Sequence, residues 1–243
     1  MLGRRRGGPA PHHTLQASLQ PDGGPADATI TAIEPQKNRP KRRSIFIDGQ
    51  FALGVDQEVV QSLGLAVGQR IGAEELARVA AAEAHRQAKE QAYLLLSYRQ
   101  RSRDEIRRKL SGKGFDEATI ASVLLSLSDE GLVDDSAFAD AWIRSRQTSK
   151  PTGKRLLKWE LRQKGVEPEL VEDALQKLEP DEEYAAALRS ARRRLQRIAA
   201  TDRNAARQRL VGFLQRRGFD WDITRRVLNT LAAEGHWDAV DSE

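Results

Sequence analysis

The sequence predicts a mainly all-α protein: tandem three-helix repeats in an extended array, preceded by a small β-hairpin/helix module and a disordered, basic N-terminal tail. Three observations carry this reading. One punctuation recurs as Lys113-Gly114-Phe115-Asp116, Lys164-Gly165-Val166-Glu167 and Arg217-Gly218-Phe219-Asp220, with the glycines 51 and 53 residues apart. Apolar residues keep the same register before each glycine: Ile106 and Leu110, Leu157 and Leu161, Leu210 and Leu214. They keep it after each glycine as well: Val123, Leu124 and Leu127; Ala174, Leu175 and Leu178; Val227, Leu228 and Leu231. Both series have helical spacing, so each glycine ends one helix and the acid after it starts the next.

The elements follow in order. Residues 1–43 form the expected tail: the first 44 residues hold six of the nine prolines and five glycines, with little aliphatic clustering. Such a stretch cannot offset its ordering entropy by burial. Its basic run Lys41-Arg42-Arg43 gives a second reading, an arm lying weakly along nucleic acid. The module spans 44–87. Ile45 and Ile47 alternate, Asp48-Gly49 turns the chain, and Phe51, Leu53 and Val55 alternate back as a hairpin. Asp56 caps a helix through Leu63, ended by Gly64, and a long alanine-rich helix follows Gly72. The glycines at 64, 68 and 72 follow a short helix, where a dinucleotide site needs a buried strand.

Three-helix units are expected over 88–135, 136–181 and 182–243. Their first helices carry Tyr93, Leu96 and Tyr98, then Phe138 and Trp142, then Tyr184 and Leu188. Helices of three or four turns are marginal alone in water, so each buries one apolar stripe on its neighbours. Ser102 and Glu105 form a capping box, Pro151 closes the loop before the second unit's middle helix, and Pro180 closes its third. The four tryptophans, Trp142, Trp159, Trp221 and Trp237, are read as packing residues rather than nucleotide platforms. Trp159 is the best exception, because Leu156, Leu157 and Leu161 already fill its helix's apolar stripe.

Composition removes several classes of function. The 243 residues include no cysteine, which excludes disulfides, a thiol nucleophile and cysteine-ligated metals. Four histidines show no ligand spacing, no phosphate loop is present, and no serine sits in a nucleophile elbow. Asp134-Asp135 reads as a helix cap before it reads as a magnesium pair. The expectation is a protein that is not an enzyme, with no cofactor and no metal. It is expected to be cytoplasmic, since no apolar run reaches membrane length and the opening residues lack a signal core.

Charge is segregated. Residues 99–113 hold seven basic side chains against Asp104 and Glu105, and 189–217 hold ten arginines against Asp202. The middle helix of each unit is thus its basic one, and stacking would join the three into a positive stripe suited to phosphates or an acidic protein.

The motifs that carry this pattern resemble those of a known family, the RecX regulators of bacterial RecA recombinase. They are Arg101-Ser102-x-x-Glu105, then Gly131-Leu132-Val133-Asp134-Asp135-x-x-Phe138-Ala139, then Gly153-Lys154-Arg155-Leu156-Leu157-x-x-Glu160-Leu161-x-x-Lys164-Gly165. The Ile47-Asp48-Gly49 module resembles the family's N-terminal portion, and the likeness spans about 44–239. The resemblance implies a regulator of recombination and repair that lies in the groove of the recombinase filament on single-stranded DNA. It would hinder filament growth, ATP hydrolysis and strand exchange, acting as a monomer; double-stranded DNA is a further expected ligand. Carried onto this chain, the contact residues are Arg101, Arg103, Arg107, Lys154, Arg155, Lys158, Arg162, Arg193, Arg197 and Arg207. The third unit departs from the pattern: Ala206 stands where the family usually has a middle-helix glycine. The alternative reading is a stand-alone DNA-binding protein or transcriptional regulator built on helix-turn-helix-like units.

Overall fold

A computed structural model of the chain describes residues 28–197 and 203–236. The chain begins with β1 (Ala28–Gln36), β2 (Arg39–Ile47), β3 (Gln50–Asp56), α1 (Gln57–Ser62) and β4 (Arg70–Ile71). A long helix α2 (Ala73–Tyr98) leads to α3 (Arg103–Ser111) and α4 (Glu117–Asp129). Next come α5 (Asp135–Ser149), α6 (Lys154–Gln163) and α7 (Pro168–Gln176), then α8 (Pro180–Leu195), α9 (Arg203–Arg216) and α10 (Trp221–Ala233). The fold class is as expected: tandem three-helix units behind a small β module. No helix among the described residues is long and apolar enough to cross a membrane.

The chain divides into two compact units, one holding the sheet and the chain to Leu94 with Lys109–Val123, the other Leu95–Arg108 with the chain from Leu124 onward.

In the first unit the strands form an antiparallel sheet of order β3-β2-β1-β4. The β2–β3 turn is the predicted one, with Asp48 and Gly49 both at positive φ (46° and 79°), as a tight hairpin turn requires. Order begins well before Ser44, which corrects the predicted tail. Residues 28–43 form β1 and most of β2, while 1–27 lie outside the described residues. Burial is the physical reason. Ile30 is fully buried with Ile45, Val55, Val59, Ile71 and Val79, partners that are far away in sequence. The supposed basic arm is part of this fold. Arg42 donates to Glu83 at 2.7 Å and to the Gly54 carbonyl at 2.6 Å, and Arg43 donates to Gln57. Asp56 caps α1 by accepting from the Glu58 amide, and Gly64 follows at φ 62°. α2 runs unbroken through the expected boundary at residue 88.

In the second unit, α5–α7 close on one core and α8–α10 on another. The first gathers Phe138, Leu157, Leu161, Val171 and Leu175, the second Leu210, Leu214, Phe219, Val227 and Leu228. Every apolar residue matched across the three glycines is buried, from Ile106 to Leu231. The glycines themselves take the left-handed conformation (φ 90°, 71° and 82° at 114, 165 and 218), so they end their helices as predicted. Pro180 is corrected: it opens α8 at its first turn rather than closing the helix before it.

Candidate nucleic-acid and filament interface

The middle helices of the second unit follow one another end to end. Gly165, just past the end of α6, lies against Asp104 in the first turn of α3; a Cβ on it would stand 2.3 Å from the Asp104 Cβ. Gly218, just past the end of α9, lies in the same way against the first turn of α6; a Cβ on it would stand 2.4 Å from the Leu156 Cβ and amide nitrogen. Two backbone bonds fasten the second join: the Gly153 amide donates to the Arg217 carbonyl at 2.9 Å and the Arg155 amide to the Gly218 carbonyl at 3.2 Å.

A carboxylate from the following repeat completes each join. The Arg103 amide, at the start of α3, donates to Asp135 at 2.8 Å, and the Lys154 amide, at the start of α6, donates to Glu183 at 2.9 Å. Both acids are nearly buried. They satisfy backbone donors that a helix start leaves free and sit at the positive end of its dipole. Burial raises the carboxyl pKa of each above its usual value, against the pull of the amide bond. Asp134, by contrast, caps its own helix α5, accepting from the Ser136 and Ala137 amides. The acid pair therefore acts as two caps for two helices.

The capping box at α3 closes on one side only. Ser102 accepts from the Glu105 amide and donates to the Lys164 carbonyl, but the Glu105 carboxylate turns away to Arg99 (2.9 Å) and Lys164 (2.8 Å). Burial works against its charge, and the two cations outweigh it, holding the carboxyl at about 2. Lys164 also lies over the Trp142 ring at 4.2 Å. Trp142 donates to Glu160 at 2.8 Å, shares that carboxylate with Arg146, and carries the Arg146 guanidinium 4.4 Å from its centroid.

The ten predicted contact residues fall into three groups. Some are engaged or half-buried within the fold. Arg101 donates to the Leu95 carbonyl, Arg107 pairs with Asp104 at 2.9 Å, and Lys158 pairs with Glu172. Arg207 is half-buried, with its Nε away from solvent. Others straddle the joins: Arg103 and Lys154 through their amides, and Arg155, whose guanidinium reaches the Gln215 carbonyl at 2.8 Å while staying exposed. Arg162, Arg193 and Arg197 are exposed. Arg162 has no ion-pair partner among the described residues.

The outer face of α6 is consequently basic: Arg155 and Arg162 point outward, the helix's one acid, Glu160, is turned toward α5, and Glu172 of α7 is taken up by Lys158. A second concentration surrounds Arg217, whose guanidinium lies 5.4 Å from the Phe213 ring centroid, with Arg194 at 5.6 Å from the same ring. Burial, then the charges of Arg193 and Arg146, pull the Arg217 pKa below its usual value, opposed by Glu160. Arg217 and Arg146 were not among the predicted contacts. Their convergence depends on how α5, α8 and α9 pack. A cleft of about 590 Å³ beside Asp135 carries both signs, Arg103 and Arg107 against Asp104, Asp134 and Glu167.

The expectation that the tryptophans pack holds for Trp142 and fails for Trp221, which is 50% exposed; Trp159, the expected exception, is 58% exposed. Trp237, like the basic residues 4–6 and the acid Asp202, lies outside the described residues.

Comparison with known proteins matches four family profiles to the chain. The RecX N-terminal domain matches residues 28–72, and the first, second and third RecX three-helix domains match 88–127, 134–175 and 181–228. A protein of Clostridioides difficile named "Regulatory protein RecX" is 32% identical over 209 residues, covering 86% of this chain and 98% of that one. A Mycobacterium protein of the same name (strain KMS) is 39% identical over 159 residues, covering 63% of this chain and 87% of its own. A crystal structure of regulatory protein RecX superposes with a TM-score of 0.68 at 26% identity, covering 82% of this chain and 98% of that chain.

Proposed function

The chain belongs to the RecX family of regulatory proteins, and from that premise we propose that it is a non-enzymatic regulator of DNA recombination and repair. In this reading it binds the filament of a RecA-type recombinase on single-stranded DNA and restrains filament growth, ATP hydrolysis and strand exchange. The observation that carries it is the end-to-end run of middle helices, with the α6 outer face basic and free of acids. A series of basic helices meets phosphates and acidic side chains at several points at once, so modest single contacts suffice. Phosphate contacts supply capture rate and salt-sensitive affinity; fit to the filament supplies specificity.

The stand-alone duplex-reading alternative is less well supported. A helix-turn-helix reader leads with the amino end of its recognition helix into the major groove. The amino ends of α3 and α6 are instead covered by the next repeat's glycine and carboxylate.

The test is recombinase ATP hydrolysis on single-stranded DNA with this protein added below stoichiometry. A fall in rate that weakens as salt rises is expected. A rate unchanged at every salt concentration overturns the inhibitory reading.

A further inference from the structure

We propose that Trp159 is a stacking platform for one unpaired base of single-stranded nucleic acid, with Arg155 and Arg162 holding the flanking phosphates; this rests on the filament-regulator reading above. Trp159 is 58% exposed on a helix whose apolar stripe is already filled by the buried Leu157 and Leu161. Indole surface of that size is ordinarily covered in a folded protein, and here the fold leaves it to solvent.

The surroundings select the occupant. Arg155 and Arg162 stand four residues before and three after Trp159, the two spacings that share one helix face. Seven residues at about 1.5 Å each set the arginines about 10 Å apart along the axis, room for one nucleotide between them. Arg155 uses one N–H on the Gln215 carbonyl, leaving further donors of its guanidinium for a phosphate. Glu160, the acid that would repel a phosphate, is turned to Trp142 and Arg146.

The other rings differ in ways that sharpen the choice. Trp142 and Phe213 each carry two of the protein's own cations over the ring, and Tyr184 carries one. Among the described residues, no such cation lies over Trp159. Trp221 is also exposed, but it stands between Asp220 and Asp222, a negative setting that disfavours a polyanion. A bare π-face between two outward arginines fits a base on its sugar-phosphate strand, and duplex DNA, whose bases are already stacked, cannot use it.

The experiment titrates the full-length protein with oligothymidylate and follows tryptophan fluorescence, while anisotropy of the labelled oligonucleotide reports affinity. Wild type, Trp159→Phe and Trp159→Ala are compared, with circular dichroism to confirm equal helicity; the site is exposed, so both variants should fold. Saturable quenching is expected in the wild type with the single strand and not with duplex. Trp159→Phe should lose the quench yet bind within about two-fold, because a ring remains. Trp159→Ala should bind roughly five- to one-hundred-fold more weakly, the usual loss for one stacked base. Absence of saturable quenching in the wild type overturns the proposal, as does wild-type affinity in Trp159→Ala. Loss of recombinase binding by Trp159→Ala without DNA, with oligonucleotide affinity unchanged, also overturns it and makes the residue a protein contact. Recombinase ATP hydrolysis is read in parallel. A Trp159-dependent oligonucleotide binder that leaves that rate unchanged retains the platform and removes the regulator reading.

Discussion

Gly218 lies so close to Leu156 that the two residues cannot both keep their places if Gly218 gains a side chain: a Cβ there would come within 2.4 Å of the Leu156 Cβ and amide nitrogen. Gly165 stands in the same relation to Asp104 one repeat earlier. Both glycines also hold positive φ, so conformation and space each demand them.

Alanine substitutions should separate these two demands. Gly131 has φ 69° with nothing within 4 Å of its would-be Cβ, so Gly131→Ala should cost only backbone strain, about 1–2 kcal/mol. Gly165→Ala and Gly218→Ala should cost roughly 1–3 kcal/mol more, because the repeats must separate to admit the methyl group. Urea unfolding of the three variants measures the difference. Equal losses at all three positions would show that the joins yield easily.

Asp135 and Glu183 should behave as caps supplied across a join. Asp135→Ala orphans the Arg103 amide and should cost about 1–2 kcal/mol. Asp135→Asn keeps an acceptor and no longer buries a charge, so it should recover much of that loss. Glu183→Ala and Glu183→Gln should repeat the pattern through the Lys154 amide. Thermal unfolding checks this, and an asparagine variant as damaged as the alanine would count against an acceptor role.

Glu105 makes stability depend on acid in a defined direction. Its carboxyl is held at about 2 against an ordinary 4.5, so its contribution is complete above about 4.5 and is lost as pH falls toward 2. The difference in unfolding free energy between wild type and Glu105→Gln should therefore shrink across that window. Asp135 and Glu183, raised by burial, work in the opposite sense: each takes stability away as pH rises through its own elevated pKa. Asp135→Asn should accordingly be less sensitive than wild type to pH just above the usual carboxylate range.

Salt should distinguish the exposed arginines from the engaged ones. Each phosphate neutralised on a single strand adds about 0.7 to the log–log salt slope. Arg162→Gln should lower the slope for single-strand binding by roughly that amount. Arg101→Gln and Lys158→Gln should leave it near the wild-type value, since Arg101 is spent on the Leu95 carbonyl and Lys158 on Glu172. Affinity measured between low and moderate salt gives the slopes.

What the sequence made legible is what the chain settles locally. The three glycines, their flanking apolar registers, and the caps at Asp56 and Asp134 depend on neighbours within one or two turns, and each is found as read. The missed features depend on distant partners. β1 is a strand because Ile30 meets Ile45 and Ile71, while its own stretch shows proline and polar residues. Arg101 and Lys158 looked like free cations because their partners, the Leu95 carbonyl and Glu172, lie a turn or a helix away. Asp135 looked like half of a local pair because its donor is 32 residues upstream.

The departure at Ala206 has the same explanation. The equivalent positions are Ser102, Gly153 and Ala206. Gly153 faces the Gly218 backbone, where a Cβ would meet atoms at 2.4 Å. Ser102 has space for its hydroxyl and donates it to the Lys164 carbonyl. At residue 206 the chain is already inside α9, and it carries a buried alanine there.

Because the second and the third repeat each bring a glycine and a carboxylate to the helix start of the repeat before, the plug and the socket travel together in one stretch of about fifty residues. Duplicating that stretch in the gene would insert a module already fitted at both ends, with no new complementary surface to evolve. The length of such a protein can thus be changed by copying alone.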